Sequence, residues 1–221
     1  MLRNAVILFL MCLAAGAHAQ DYRFAIGLSG GLSGYLGCVN RSNMFRQPGF
    51  AAGAVFRYNI NSRFHVKAMA DVVTARGDSK FEKSEFPHGE EYSFKATVID
   101  AGAQFEVNFL NYGIGSKYLR LKRISPYAGL GLAFAYSLNN VSNGAALIVP
   151  LSVGVKYKLN ERMNLGLEWL FAQALTGHID GLHDLTGIHS GFAKNKDFYT
   201  TITVSFTYEF SKRCKTCHYV D

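Results

Sequence analysis

The stretch Thr200-Thr-Ile-Thr-Val-Ser-Phe-Thr-Tyr-Glu-Phe210 decides how the chain is read. Its even positions Ile202, Val204, Phe206, Tyr208 and Phe210 are apolar, and its odd positions Thr201, Thr203, Ser205, Thr207 and Glu209 are polar. Successive side chains point to opposite faces of a pleated strand, so a strand here gathers every large apolar group on one face. About nine to eleven residues suffice for a tilted strand to cross a bilayer, and membrane barrels carry aromatics such as Phe210 at the interface. Such a strand predicts an even set of partners that closes on it.

The same alternation recurs upstream. Over residues 23–36, Phe24, Ile26, Leu28, Leu32 and Leu36 oppose Ala25, Gly27, Ser29, Gly31 and Ser33, a small inner face. Residues 50–58 set Phe50, Ala52, Ala54, Phe56 and Tyr58 against Gly53, Val55 and Arg57, and residues 64–72 set Phe64, Val66, Ala68, Ala70 and Val72 against His65, Lys67, Met69 and Asp71. A fourth strand ends at Phe109 with Ile99, Phe105 and Val107 opposed to Asp100, Gln104, Glu106 and Asn108. The fifth places Leu130, Leu132, Phe134 and Tyr136 against Gly129, Gly131, Ala133 and Ala135. In the sixth, Val149 to Tyr157 alternate with Ser152, Gly154, Lys156 and Lys158; Pro150 cannot donate to a ladder and is expected at this strand's start. Leu165, Leu167, Trp169 and Phe171 against Asn164, Gly166 and Glu168 make the seventh, and the opening stretch is the eighth.

Connections run long, short, long, medium, medium, short, long, with residues 76–91 and 175–196 read as solvated loops. Outer-membrane barrels alternate long outer loops with short periplasmic turns in this manner. The face bearing Arg57, Lys67, Asp71, Glu106, Lys156 and Glu168 cannot be an oily core, whereas the opposite face is almost wholly apolar. The expected fold is therefore all-β: an eight-stranded antiparallel up-and-down transmembrane β-barrel with a filled polar interior. Eight strands leave room only for side chains, so these charges are expected to pair with one another rather than line an ion path.

Composition agrees with this class: 221 residues, 22 glycines, 17 Phe and 12 Tyr but one Trp and four Pro. Residues 1–19 have a basic start, an apolar middle and Ala17-His-Ala19, the three parts of a secretory signal. Cys12 falls inside it. Residues 20–210 are then the barrel and residues 211–221 a periplasmic tail. No later stretch is apolar for long enough to be a membrane helix. The formal charge of +7 carries no nucleic-acid recognition motif, and export makes nucleic acid an unsuitable partner.

Several segments taken in order resemble a known family: Arg57-Tyr-Asn-Ile-Asn61 with Arg63-Phe64, Glu106-Val-Asn-Phe109, Ser125-Pro-Tyr-Ala-Gly-Leu-Gly131, and Pro150-Leu-Ser-Val-Gly-Val-Lys-Tyr157 through Gly166-Leu-Glu-Trp169 to Asp180. These are similar to the PorG-like outer-membrane β-barrels of Bacteroidetes, within the small OmpA/OmpX-like eight-stranded barrels. The resemblance implies a component of the type IX secretion system, a porin-like barrel associated with a periplasmic lipoprotein ring. It implies nothing about ligands of the long loops.

With eight strands both termini lie on one side, and insertion from the periplasm keeps them there. Cys38, after the first strand, then lies outside, across an apolar band about 25 Å tall, and cannot approach Cys214 or Cys217 within the roughly 7 Å a disulfide needs. Cys214 or Cys217 is a candidate for a bridge to a periplasmic partner. Lys117, Arg120, Lys122 and Arg123, with Lys212, Arg213 and Lys215, concentrate basic charge on that side and suit either lipid phosphates or an acidic protein surface. Phe210, at the periplasmic rim, reads as an assembly signal for the barrel assembly machinery.

Cys214-Lys-Thr-Cys217-His218 has the spacing of covalent haem attachment, but no helical cytochrome domain surrounds it. His178, Asp180, His183, Asp184 and His189 crowd one loop without a standard zinc spacing. No cofactor or metal is expected. There is no Gly-x-Ser-x-Gly elbow and the histidines fall mostly in loops, so an enzyme is a weaker reading than an anchor or scaffold. A small outer-membrane channel or purely structural barrel is the remaining alternative.

Overall fold

A computed structural model of the chain describes residues 22–36, 48–78, 93–114, 120–139, 144–175 and 198–212. Eight strands occupy them: β1 (Tyr22–Leu36), β2 (Gly49–Asn59), β3 (Phe64–Asp78), β4 (Ser93–Asn108), β5 (Ile124–Asn139), β6 (Gly144–Lys158), β7 (Met163–Ala174) and β8 (Phe198–Lys212). Each pairs antiparallel with the next, and β8 pairs antiparallel with β1, so the sheet closes with no free edge. Closure removes the unpaired backbone groups that hydrocarbon cannot solvate. The seam runs from Tyr22↔Lys212 to Leu36↔Phe198 without a slip, which fixes the face of every residue in the opening stretch. Among the described residues no helix is long and apolar enough to cross a membrane.

The wall has an apolar outside. Leu28, Phe50, Leu130, Phe134, Leu167 and Val204 are among many large apolar side chains left more than half exposed, while Arg57, Lys67, Glu106, Lys156 and Glu168 are buried. That inversion suits a hydrocarbon surround and no aqueous one. Outward residues of β8 from Phe198 to Phe210 span about 30 Å along the membrane normal for strands tilted about 40°. Aromatic clusters mark both limits of this band. At the terminal end Phe24 lies 5.7 Å from Phe56, 5.4 Å from Tyr58 and 5.7 Å from Phe210. At the other end Phe171 lies 4.6 Å from Trp169 and 5.9 Å from Phe198.

Three expectations are corrected. The strands outrun the apolar alternation: Arg76 to Asp78, read as loop, pair with Ser93 to Lys95, and β8 runs past Phe210 to Lys212. Backbone pairing can continue beyond the lipid-facing stretch, where nothing demands an apolar side chain. Pro150 does not start a strand but lies inside β6. The β5–β6 ladder lapses there, between Leu130↔Leu151 and Ala133↔Ile148, with no change of register. Meanwhile Gln104 Nε2 donates to the Pro150 carbonyl at 3.3 Å. A side chain thus partners the carbonyl beside the missing N–H. Third, the ion pairs gather in the terminal half of the interior, while Asp71, Asp100, Ser33 and Ser137 lie among apolar neighbours further along. The apolar neighbours there are Ala51, Met69, Val73, Val98, Ala133, Ala135, Ala146, Ile148, Leu170, Ala172, Ala174 and Tyr199.

Candidate functional site: the charged interior and the terminal rim

The terminal half of the lumen is built from inward positions of six strands. Glu106 of β4 is its centre. Arg57 Nε lies 3.1 Å from Glu106 Oε2, Lys156 Nζ makes a short contact with the same oxygen, and Lys67 Nζ is 3.7 Å from Oε1. Lys67 also donates to both oxygens of Glu168 at 2.8 Å, which links the two carboxylates through one ammonium. Three cations around one fully buried carboxylate offset its desolvation, which alone would be prohibitive. Asp71 lies beside Asp100, nearer the apolar plug: Ser29 donates to Asp71 at 3.4 Å and the Tyr199 hydroxyl to Asp100 at 2.6 Å.

Register explains how Glu168 is completed. Tyr127 of β5, Gly154 of β6 and Glu168 of β7 form one cross-strand row. The Tyr127 ring lies over Gly154, where an added Cβ would meet ring carbons at 2.8 and 2.9 Å, and its hydroxyl donates to Glu168 Oε2 at 2.6 Å. Lys156 Nζ sits 4.2 Å from the centre of the same ring. Glycine here is a condition for the tyrosine to reach the carboxylate.

Nearer the terminal mouth a further set closes the lumen. Lys158 Nζ donates to Glu209 at 2.7 Å, and Asn164 donates to Glu209 at 3.0 Å. Tyr112, from the β4–β5 connection, is buried and donates its hydroxyl to Asn164 Oδ1 at 2.7 Å. Burial, with Glu209 close by, pushes the Tyr112 hydroxyl well above its ordinary pKa, so it stays a donor. A cavity of about 20 Å³ in the lumen is lined by Ser29, Lys67, Asp71, Asp100, Glu168 and Tyr199 among others, room for about one water.

Sequence alternation located the inward charges, Lys158 and Glu209 among them, but not who pairs with whom. Tyr112 lies in a connection without alternation, and no local signal marks it. The Tyr127–Gly154–Glu168 row needs the register, which one strand alone does not carry.

The rim around this mouth is basic. Arg23, Arg63, Arg120, Lys122, Arg123 and Arg162 are all exposed, and the exposed acid among the described residues is Glu161. Arg120 adopts φ 49°, in the left-handed region that a long side chain rarely enters. Arg162 Nε donates to the Tyr22 hydroxyl at 3.0 Å and Nη1 to the Tyr208 hydroxyl at 2.9 Å; these bonds, Tyr208's first, hold its guanidinium above its ordinary pKa. Lys117, Cys214 and Cys217, with Cys38 and the histidine-rich loop, lie outside the described residues. Phe210 is outward at the terminal end and packs on Phe24.

An apolar outer belt, a lumen filled by ion pairs and full closure define a small eight-stranded membrane-spanning β-barrel. The chain belongs to the family of the domain of unknown function DUF6089, whose model matches residues 3–219. No curated protein matches it. Among solved structures it is similar to Neisserial surface protein A, at 11% identity and a TM-score of 0.54 over 85% of this chain and 97% of that one. It also aligns with the outer membrane protein OprG from Pseudomonas aeruginosa (12% identity, TM-score 0.49, 87% and 98% covered). A third is Ail of Yersinia pestis in complex with sucrose octasulfate (12%, TM-score 0.47, 86% and 99% covered). The first of these likenesses establishes the shared barrel fold.

Proposed function

We propose that this chain is a non-enzymatic outer-membrane β-barrel whose termini face the periplasm and which anchors a periplasmic complex. Type IX protein secretion is the process that its resemblance to PorG-like barrels of Bacteroidetes implies, with a lipoprotein or ring component as partner. The observation that carries the reading is the contrast between the two parts of the site. Among the described residues the lumen is occupied by paired charges and packed side chains, whereas the terminal rim exposes six cations against one acid. Work is then done at the rim and in the tail that follows β8. Arg120, Lys122 and Arg123, with Lys117, supply the charge for an acidic partner surface, and Cys214 or Cys217 supplies a thiol for a covalent bridge.

The test is a pull-down from outer membranes without reductant, with the associated proteins identified. Arg120→Glu combined with Lys122→Glu is expected to abolish co-purification of the partner while the barrel stays in the membrane; retained partner would count against docking through this connection. On non-reducing gels a higher band is expected to collapse in Cys214→Ser or Cys217→Ser, and an unshifted monomer in the native protein would remove the disulfide from the proposal.

A further inference from the structure

Arg162 is the rim cation that is built into a site rather than displayed on a surface. Its carbonyl accepts from Glu209 N at 2.7 Å, so the turn after β6 is tied to β8. Its side chain is then held by two phenols from different strands, Tyr22 at the start of β1 and Tyr208 of β8, and its guanidinium carbon lies 5.4 Å from the centre of the Tyr22 ring. A guanidinium has more N–H donors than these two hydroxyls use, and each hydroxyl that accepts from it keeps its own O–H to give. The group is exposed, while Tyr22 is 97% buried by its neighbours, being 3% exposed, so the cradle is fixed before any ligand arrives.

We propose that Arg162, Tyr22 and Tyr208 form a binding site for the phosphate of an anionic phospholipid in the leaflet at the terminal end. A planar fork with two flanking hydroxyls matches a tetrahedral phosphate, which accepts paired N–H donors and further O–H donors at once. Placement selects a lipid. Tyr208 belongs to the outward face, and the side chains beside it, Met163, Leu165, Phe206 and Phe210, are apolar and exposed, so whatever sits on the guanidinium has hydrocarbon next to it. An anionic headgroup is preferred over a zwitterionic one because it brings no ammonium to compete for the phosphate. Glu161, next in the chain and exposed, works against anions, so the site rests on the short-range hydrogen bonds of the fork rather than on diffuse attraction. The proposal depends on the membrane-spanning fold and not on the periplasmic docking proposed above, so failure of one leaves the other standing.

The experiment is reconstitution of the full chain into phosphatidylcholine vesicles, with spin-labelled phosphatidylglycerol and spin-labelled phosphatidylcholine compared for association with the protein. Native protein is expected to prefer phosphatidylglycerol, and Arg162→Gln to lose that preference by about fivefold. Arg162→Lys, which keeps the charge without the fork, and Tyr208→Phe are each expected to lose part of it. Arg23→Gln removes an equal charge from the same rim and is expected to leave it intact. Equal loss in Arg162→Gln and Arg23→Gln, or native preference in Arg162→Lys, would reduce the site to bulk charge and overturn the proposal. Displacement of the labelled lipid by millimolar inorganic phosphate would overturn the lipid assignment.

Discussion

Glu106 is the residue on which the interior turns. Three cations from β2, β3 and β6 converge on it, so its removal leaves them facing one another without a counter-ion. Glu106→Gln is expected to destabilise the barrel by about 3–5 kcal/mol, measured as a lowered urea midpoint in detergent. A change within about 0.5 kcal/mol would mean that the cations find other partners. Gly154 makes a second test. Gly154→Ala brings a methyl onto the Tyr127 ring and the Leu167 carbonyl, at an expected cost of about 1–3 kcal/mol. Part of that cost should vanish in a Tyr127→Phe background, where the hydroxyl has already released Glu168. Lys67 and Glu168 were visible in the sequence as inward positions of alternating strands, because parity alone decides the face. Their pairing was not, since Lys67 and Glu168 meet across the lumen from β3 and β7.

At the scale of the element, alternation identified all eight strands but ended them early. It reports where lipid touches the wall, and hydrogen bonding continues past that, as the pairs Arg76↔Lys95 and Tyr22↔Lys212 show. Pro150 is the other instance. The sequence rule against proline in a central strand holds for the ladder, which does lapse beside it, yet β6 runs through because β7 pairs continuously and Gln104 reaches the carbonyl. Gln104 is therefore expected to matter because of Pro150. Gln104→Leu should cost about 1–3 kcal/mol, as it strips the Pro150 carbonyl and the Ser152 hydroxyl of their partner. In a Pro150→Ala background the cost should be smaller. A double-mutant cycle on unfolding free energies reads the coupling directly, and simple additivity would contradict it.

For the whole molecule, the account joins an apolar outer wall, a lumen filled by ion pairs and an apolar plug, and a basic mouth at the terminal end. The wall and the lumen charges were legible in the sequence because a barrel forces every strand to repeat the same two faces. The gathering of an apolar cluster toward the far end was not, because Ala133, Ala135, Ala146 and Ala172 look like small inward residues of any barrel until the register stacks them there. The filled lumen predicts that the protein inserted in a planar bilayer gives no steady conductance; stable, voltage-independent steps would contradict the packing of the described residues.

The central claim is that the even positions of Thr200 to Phe210 face hydrocarbon and the odd ones a closed polar interior. Single tryptophans at Ile202, Val204 and Phe206, each in a Trp169→Phe background, test it most directly in vesicles of acyl-brominated lipid. The account predicts blue-shifted emission quenched by the bromines, deepest near Val204, and little quenching by aqueous acrylamide. Emission quenched by acrylamide and indifferent to bromine at these three positions would contradict it.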